Sequence, residues 1–379
     1  MKLDIAYEKS IDIGGRDTQY FYVMSLEYPF NEAIEYYKRL LIEISDRQQT
    51  ILFERIFGYQ RYRQKVMAVR KNVLKQRMLP EHPISFIEGK SVSEMPIAGI
   101  VIHAVGSETA VRYIQDNGTV YGSRYQIGKV DRLSVEGIQD PWRASGFSQA
   151  LLAEYDLVNR VIQRAEFNTT DLVRTWHYIS PIKDFYISFN QERKNFFKHS
   201  NIDYLEHPEN VPASTCIEGK CWETGYSTMN LYYIKKTPDV KLRRIYNIGQ
   251  KEADSRSYQY GPTFSRALHA VQSGLEEFQI SGTASIGEDG VTRHIDDTGR
   301  QIERTLLMVK GLLEQASMDF RDICYATCIF KHRSDYGIFQ EIVKKLHIPD
   351  FPYIPIQGNI CRDDLLFELD GIAAKKGTE

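Results

Sequence analysis

The sequence predicts an α/β (α+β) protein in which two tandem units of mixed sheet packed by helices, 98–240 and 241–379, follow an N-terminal α/β segment, 1–97. Three observations predict it. One pattern occurs twice: Leu133-Ser-Val-Glu-Gly137, an apolar helix, Asp171-Leu-Val-Arg-Thr-Trp-His-Tyr-Ile179, Phe189 and Pro212 are echoed by Phe278-Gln-Ile-Ser-Gly282, a similar helix, Asp322-Ile-Cys-Tyr-Ala-Thr-Cys-Ile-Phe330, Phe339 and Pro352. Within each copy, helical spacing of apolar residues gives way to strand-like alternation. Pro80, Pro83 and Pro96 interrupt the chain before the first copy, as expected near a boundary. A duplicated unit places an active site where the copies meet, since each supplies an edge the other lacks; the 98–240 copy reads as degenerate, and the 241–379 copy is expected to carry the site and line most of it.

The N-terminal segment begins with an aromatic strand at 20–24. A helix follows over 31–47, with Ala33, Ile34, Tyr37, Leu40 and Leu41 at helical spacing, and then a strand over 50–57. Residues 61–77 carry seven Lys or Arg. This stretch reads as a solvated helix face with Val66, Val69 and Val73 turned inward rather than as a nucleic-acid contact. In the second copy Ile302, Leu306, Val309, Leu313 and Ala316 draw one apolar stripe, which must lie on a sheet. Residues 323–329 alternate as a strand, 335–346 form a helix with Ile338, Ile342 and Leu346 inward, and 367–373 close the unit as a strand. Alternation then puts Glu368 and Asp370 on the face opposite Phe367 and Leu369.

At 379 residues the chain can bury a large core, and its net charge of −2 exerts no general pull on nucleic acid or anionic lipid. No uncharged apolar run approaches the ~18 residues of a membrane span, so a soluble, cytoplasmic protein with no membrane partner is expected. Cys216, Cys221, Cys324, Cys328 and Cys361 are odd in number and lack paired spacing; reduced thiols follow, with Cys324 and Cys328 in the core. No metal-ligand constellation or phosphate-cradling glycine loop is present, and no cofactor is expected.

Gly282-Thr-Ala-Ser-Ile286, then His294, Asp297, Gln301 and finally Cys361-Arg-Asp-Asp-Leu-Leu-Phe-Glu368 resemble the YjgF/RidA (endoribonuclease L-PSP-like) superfamily, whose trimeric units bind small carboxylates between subunits. Arg174-Thr-Trp-His-Tyr-Ile179, Phe189-Asn190 with Arg193, Pro212-Ala-Ser-Thr215 and Tyr260-Gly-Pro-Thr-Phe-Ser-Arg-Ala267 are similar to the chorismatase family, a branch of that superfamily. The likeness runs from about 106 to 374.

The resemblance implies an enzyme that cleaves the enolpyruvyl ether of chorismate to pyruvate and a hydroxybenzoate. Glu368 stands where the family has its general acid. Cys361 stands where members forming hydroxybenzoate carry Cys and hydrolytic members carry Ala, which implies a 3-hydroxybenzoate product. A dianionic substrate needs cationic and hydrogen-bonding partners; Arg174 and Arg266, within family-like motifs, are the candidates, with Tyr260, Gly282 and Thr283 as further substrate-binding residues. His294 and Asp297 read as a cap before a helix.

Two departures stand out. The stretch Tyr246-Asn-Ile-Gly-Gln250 differs from the Glu-Asn-Pro of family members. Cys216-Ile-Glu218 replaces a Gly-Ile-Gly, bringing a carboxylate toward the presumed anion site, where like charge disfavours the substrate. A non-catalytic RidA-like protein that binds or senses small carboxylates is the alternative. In either case the partner is a small anion and not a nucleic acid, and the chain acts as a pseudo-trimeric monomer or as a homotrimer.

Overall fold

The computed structural model describes residues 6–14, 17–140, 145–202, 205–220, 225–246, 263–287 and 289–377. The first sheet and its helices are built by β1 (Tyr7–Asp12), β2 (Thr18–Ser25), α1 (Phe30–Asp46), β3 (Thr50–Gly58), α2 (Gln60–Gln76), β4 (Ile84–Glu88) and β6 (Ile97–Val105), while the short β5 (Lys90–Ser91) between the last two joins the third sheet. The second comes from β7 (Val111–Asp116), β8 (Thr119–Ile127), β9 (Val130–Ile138), α3 (Phe147–Arg164), β10 (Leu172–Ile179), α4 (Ile182–His199), β11 (Ala213–Glu218) and β12 (Ser227–Ile234). The third comes from β13 (Val240–Ile245), β14 (Ala267–Gln272), β15 (Leu275–Ala284), α5 (Thr298–Glu314), β16 (Ile323–Phe330), α6 (Asp335–Lys345), β17 (Tyr353–Gln357) and β18 (Phe367–Lys376).

The strand orders are β1-β2-β6-β3-β4, β11-β10-β12-β9-β8-β7 and β13-β14-β15-β18-β16-β17-β5. Each contains one connectivity: strand, helix, strand, helix, a parallel neighbouring strand, then an antiparallel return strand inserted between the first two; in the third sheet β5 pairs beyond the parallel strand β17. The α+β class and the two tandem units agree with the expectation. The N-terminal segment proves to repeat the same connectivity, making three copies. The division expected at 97 meets the start of β6, which lies between β2 and β3, so the first sheet's chain runs on to Val105.

The helices form because each buries one stripe. In α5, Ile302, Leu306, Val309 and Leu313 are buried, and the Asp297 side chain accepts the Arg300 backbone N–H at its start. In α6, Phe339 and Ile342 are buried while Ile338 is 38% exposed; this shorter helix presents Phe339, not Ile338, to Phe330 and Phe367. Three core clusters lie between a sheet and its own helices, and a fourth joins the inner faces of all three sheets. Strands covered on both sides, such as the wholly buried β6, are apolar almost throughout. No helix among the described residues is long and apolar enough to cross a membrane.

Buried ion pairs key the sheets to one another. Arg55 meets Glu136 at 2.6 Å, Arg132 meets Glu277 at 2.7 Å and Arg174 meets Asp370 at 2.9 Å. The first joins sheets one and two, the others sheets two and three. At the centre, Glu88 N–H donates to Lys220 O (2.9 Å), Glu218 N–H donates to Asn359 O (3.0 Å), and Gln357 pairs with Lys90. These contacts join Ile87-Glu-Gly-Lys90, Ile217-Glu-Gly-Lys220 and Ile356-Gln-Gly-Asn359, the same step of each copy, around one pseudo-threefold axis.

Candidate active site

A cavity spanning about 770 Å³, counted together with the solvent at its open mouth, lies at the junction of the second and third sheets. From the second copy come Tyr186, Asn190 and Arg193, one face of α4 at i, i+4 and i+7, and Ser214, Thr215 and Cys216 of β11. From the third come Phe264, Arg266, Gly282, Ala284, Ile286, Cys361, Arg362 and Glu368. The site therefore lies where the copies meet, with both lining it.

Glu368 is 5% exposed. Burial, and then the charge of Asp370, push its carboxyl up to about 8 against the opposing pull of Arg174 and Arg266. Near neutral pH it is a protonated acid within a cavity. Gly282 lies directly beneath it, and a Cβ there would collide with Glu368 Oε1. A glycine is needed for this close approach of backbone and carboxyl. Cys361 borders the same space; burial and the neighbouring Glu368 push its thiol up to about 12, so the resting thiol is neutral. The Cys216 thiol is raised as well, chiefly by burial.

Arg266 lines the cavity, and burial lowers its guanidinium to about 10 while Glu368 supports the charge. Arg174 does not line it. Its Nη2 donates to Asp370 Oδ2 at 2.9 Å and Thr215 Oγ1 at 2.6 Å, and the Trp176 ring lies 4.6 Å from its guanidinium carbon. The expected substrate clamp is instead an ion pair under the floor, touching the cavity through Thr215, whose hydroxyl donates to the same Asp370 oxygen at 2.7 Å. Thr283 is a second correction. A register shift between Ile280 and Thr283 precedes it, and its hydroxyl donates to Ser281 O at 2.9 Å, away from the cavity. Tyr260 lies outside the described residues.

Glu218 is a third correction. Its carboxylate accepts the Asn359 backbone N–H at 3.2 Å and the Asn359 side-chain amide, and it faces the pseudo-threefold axis rather than the cavity beside Glu368. The cation that sequence reasoning missed is Arg193. It is 1% exposed, lies over Phe189, and donates to Asn190 Oδ1 at 2.8 Å and Ser214 Oγ at 3.3 Å, with Nε unpartnered. Its spacing from Tyr186 and Asn190 along α4 was the available signal. Arg362, next to Cys361, adds a guanidinium at the rim and donates to Gly290 O at 2.5 Å.

Strand register explains why the other two junctions differ. Glu368 stands opposite Ile329; the corresponding partners of Tyr178 and Phe57 are Thr228 and Gly99. Ile354 packs into the space over Gly99, where a Cβ would come within 2.8 Å of it, and Ile84 O lies 2.7 Å from the Cβ position of Gly137. Both junctions lack the acid and are closed there by packing.

No family model matches the sequence. Among solved structures, a chorismatase aligns over 95% of this chain and 99% of its own, with a TM-score of 0.62 and 16% identity. A YjgF family member from Neisseria meningitidis aligns over 36% of this chain and 98% of its own (TM-score 0.27, 13% identity). A Rid family protein from Yersinia pestis aligns over 35% and 98% (TM-score 0.29, 18% identity). Along nearly its whole length, the chain has the chorismatase fold.

Proposed function

We propose that the chain is an enzyme of chorismate cleavage, built as three units over 7–105, 111–234 and 240–376, with its active site at the junction of the last two. The observation that carries this reading is Glu368: a carboxyl held neutral to about 8 in a cavity walled by Arg193, Arg266 and Arg362. A protonated acid beside cationic walls suits a substrate with two carboxylates and an enol ether that must accept a proton on carbon.

Glu368 donates its proton to the methylene carbon of the enolpyruvyl group, which becomes an oxocarbenium centre. The Glu368 carboxylate so formed is stabilised by Arg266 and, across Asp370, by Arg174. If water adds to that centre, the hemiketal collapses to pyruvate and a dihydroxy-cyclohexadiene acid, consuming one water. If instead a ring hydroxyl displaces the enolpyruvyl group as pyruvate, Cys361 adds to one carbon of the arene-oxide-like ring as its C–O bond breaks and the oxygen takes up a proton; loss of the neighbouring ring proton then expels the Cys361 sulfur and re-aromatises the ring, with no net water. Cys361 is a neutral thiol at rest; the newly formed Glu368 carboxylate is the base beside it. The presence of Cys361 favours the second course and 3-hydroxybenzoate.

The purified protein is expected to release pyruvate from chorismate with an aromatic co-product, and Glu368→Gln to abolish it. Wild-type pyruvate release no greater than that of the Gln variant rejects the reading. Stabilisation by chorismate without product would instead identify a binding protein.

A further inference from the structure

A second polar cavity lies on the pseudo-threefold axis. Counted together with the solvent at its open mouth it spans about 740 Å³, and it receives Glu88 and Lys90 from the first copy, Glu218 from the second, and Lys331, Gln357 and Asn359 from the third. Ser180 and three-copy backbone complete the wall, and no aliphatic or aromatic side chain lines it among the described residues. In this it is the opposite of the catalytic cavity, which presents Phe264 and Ile286. The two are neighbours: Cys216 and Glu218, two residues apart on β11, line one each, as do Cys361 and Asn359 on the following loop.

The charges are mixed and only partly satisfied. Glu218 is held by Asn359, and the Lys331 ammonium donates to the Asp363 carbonyl. The side chains of Glu88 and Lys90 make no hydrogen bond or ion pair with any described residue, although both face the well. Opposite charges left apart at one polar wall match a ligand that carries both signs itself. A simple anion would meet Glu88 and Glu218; a simple cation would meet Lys90 and Lys331. The absence of apolar lining limits the ligand to a compact polar molecule.

We propose that this axial well binds a small zwitterion of the α-amino-acid class, its carboxylate toward Lys90 and Lys331 and its ammonium toward Glu88 and Glu218. The site is distinct from the catalytic cavity and its test does not depend on turnover. Isothermal titration of the full chain with glycine, L-serine and L-glutamine is expected to show saturable binding with a Kd of about 1 mM or tighter for at least one. The matching amino-acid amide, which lacks the carboxylate, and the N-acetyl acid, which lacks the ammonium, are each expected to bind about tenfold or more weakly. Glu88→Gln and Lys90→Met should each weaken the amino acid to a similar degree in protein that melts like wild type. Absence of saturable binding by all three amino acids overturns the proposal, as does binding by the amide or the N-acetyl acid equal to that of the parent. The ligand pair decides the matter even if either variant fails to fold.

Discussion

Glu368 rests against the backbone of Gly282 so closely that one methyl group at position 282 would occupy the place of its carboxyl oxygen. The acid's position is thus set from below by the absence of a side chain. Gly282→Ala must push the carboxyl aside, and a displacement near 1 Å costs about 100-fold in rate. Pyruvate release is expected to fall by about that factor. Overpacking should lower stability by about 1–3 kcal/mol, which thermal denaturation reads separately.

The raised carboxyl of Glu368 ties both stability and activity to pH. Its folded value, about 8, lies above the ordinary 4.5. The stability it contributes is therefore complete below the ordinary value and is lost as pH rises through about 8, when a charge must form in the buried cavity. Glu368→Gln removes that loss. Its melting temperature relative to wild type should rise between pH 5 and pH 9, and a flat difference would contradict the assigned shift. Glu154, also raised by burial to about 8, is common to both proteins and cancels. Wild-type kcat should decline above pH 8 as the acid deprotonates.

Arg174 and Asp370 form a pair that is more costly to break than to replace. Arg174→Met leaves the Asp370 carboxylate buried without its cation and should cost about 3–5 kcal/mol in chemical denaturation. The double variant Arg174→Met/Asp370→Leu should recover most of it. If the single variant proves as stable as wild type, the pair does not hold the junction.

Cys361 should govern the product rather than the first step. In Cys361→Ala, pyruvate release is expected to persist within about tenfold of wild type, since Glu368 still donates the proton. Chromatography should show the aromatic acid replaced by the dihydroxy-cyclohexadiene acid. An unchanged aromatic product would remove Cys361 from the mechanism.

Much of this architecture was legible in the chain. The stripe of α5, the alternation of β16 and the shared face of Glu368 and Asp370 were all readable, because periodicity over ten or fifteen residues reports which face is buried. Two copies were evident from the matching positions of Gly137 and Gly282 and from aligned apolar positions. The third was hidden because it carries Gly99 where the last copy has Glu368, with Ile354 packed over it, leaving the Ile87-Glu-Gly-Lys90 step as its mark. Thr283 was placed wrongly because a register shift inside β15 changes which face follows Gly282.

The sequence by itself determined the helices, the strands, the fold class and the carboxyl in the last strand, since these depend on neighbours a few positions away. Only the tertiary structure decided which charges meet. Arg174 is claimed by Asp370, 196 residues distant; Arg193 is carried into the cavity by the packing of α4; and Glu218 is turned to the axis by Asn359. Such pairings follow from how three sheets dock on their inner faces, and desolvation there fixes the protonation of Glu368.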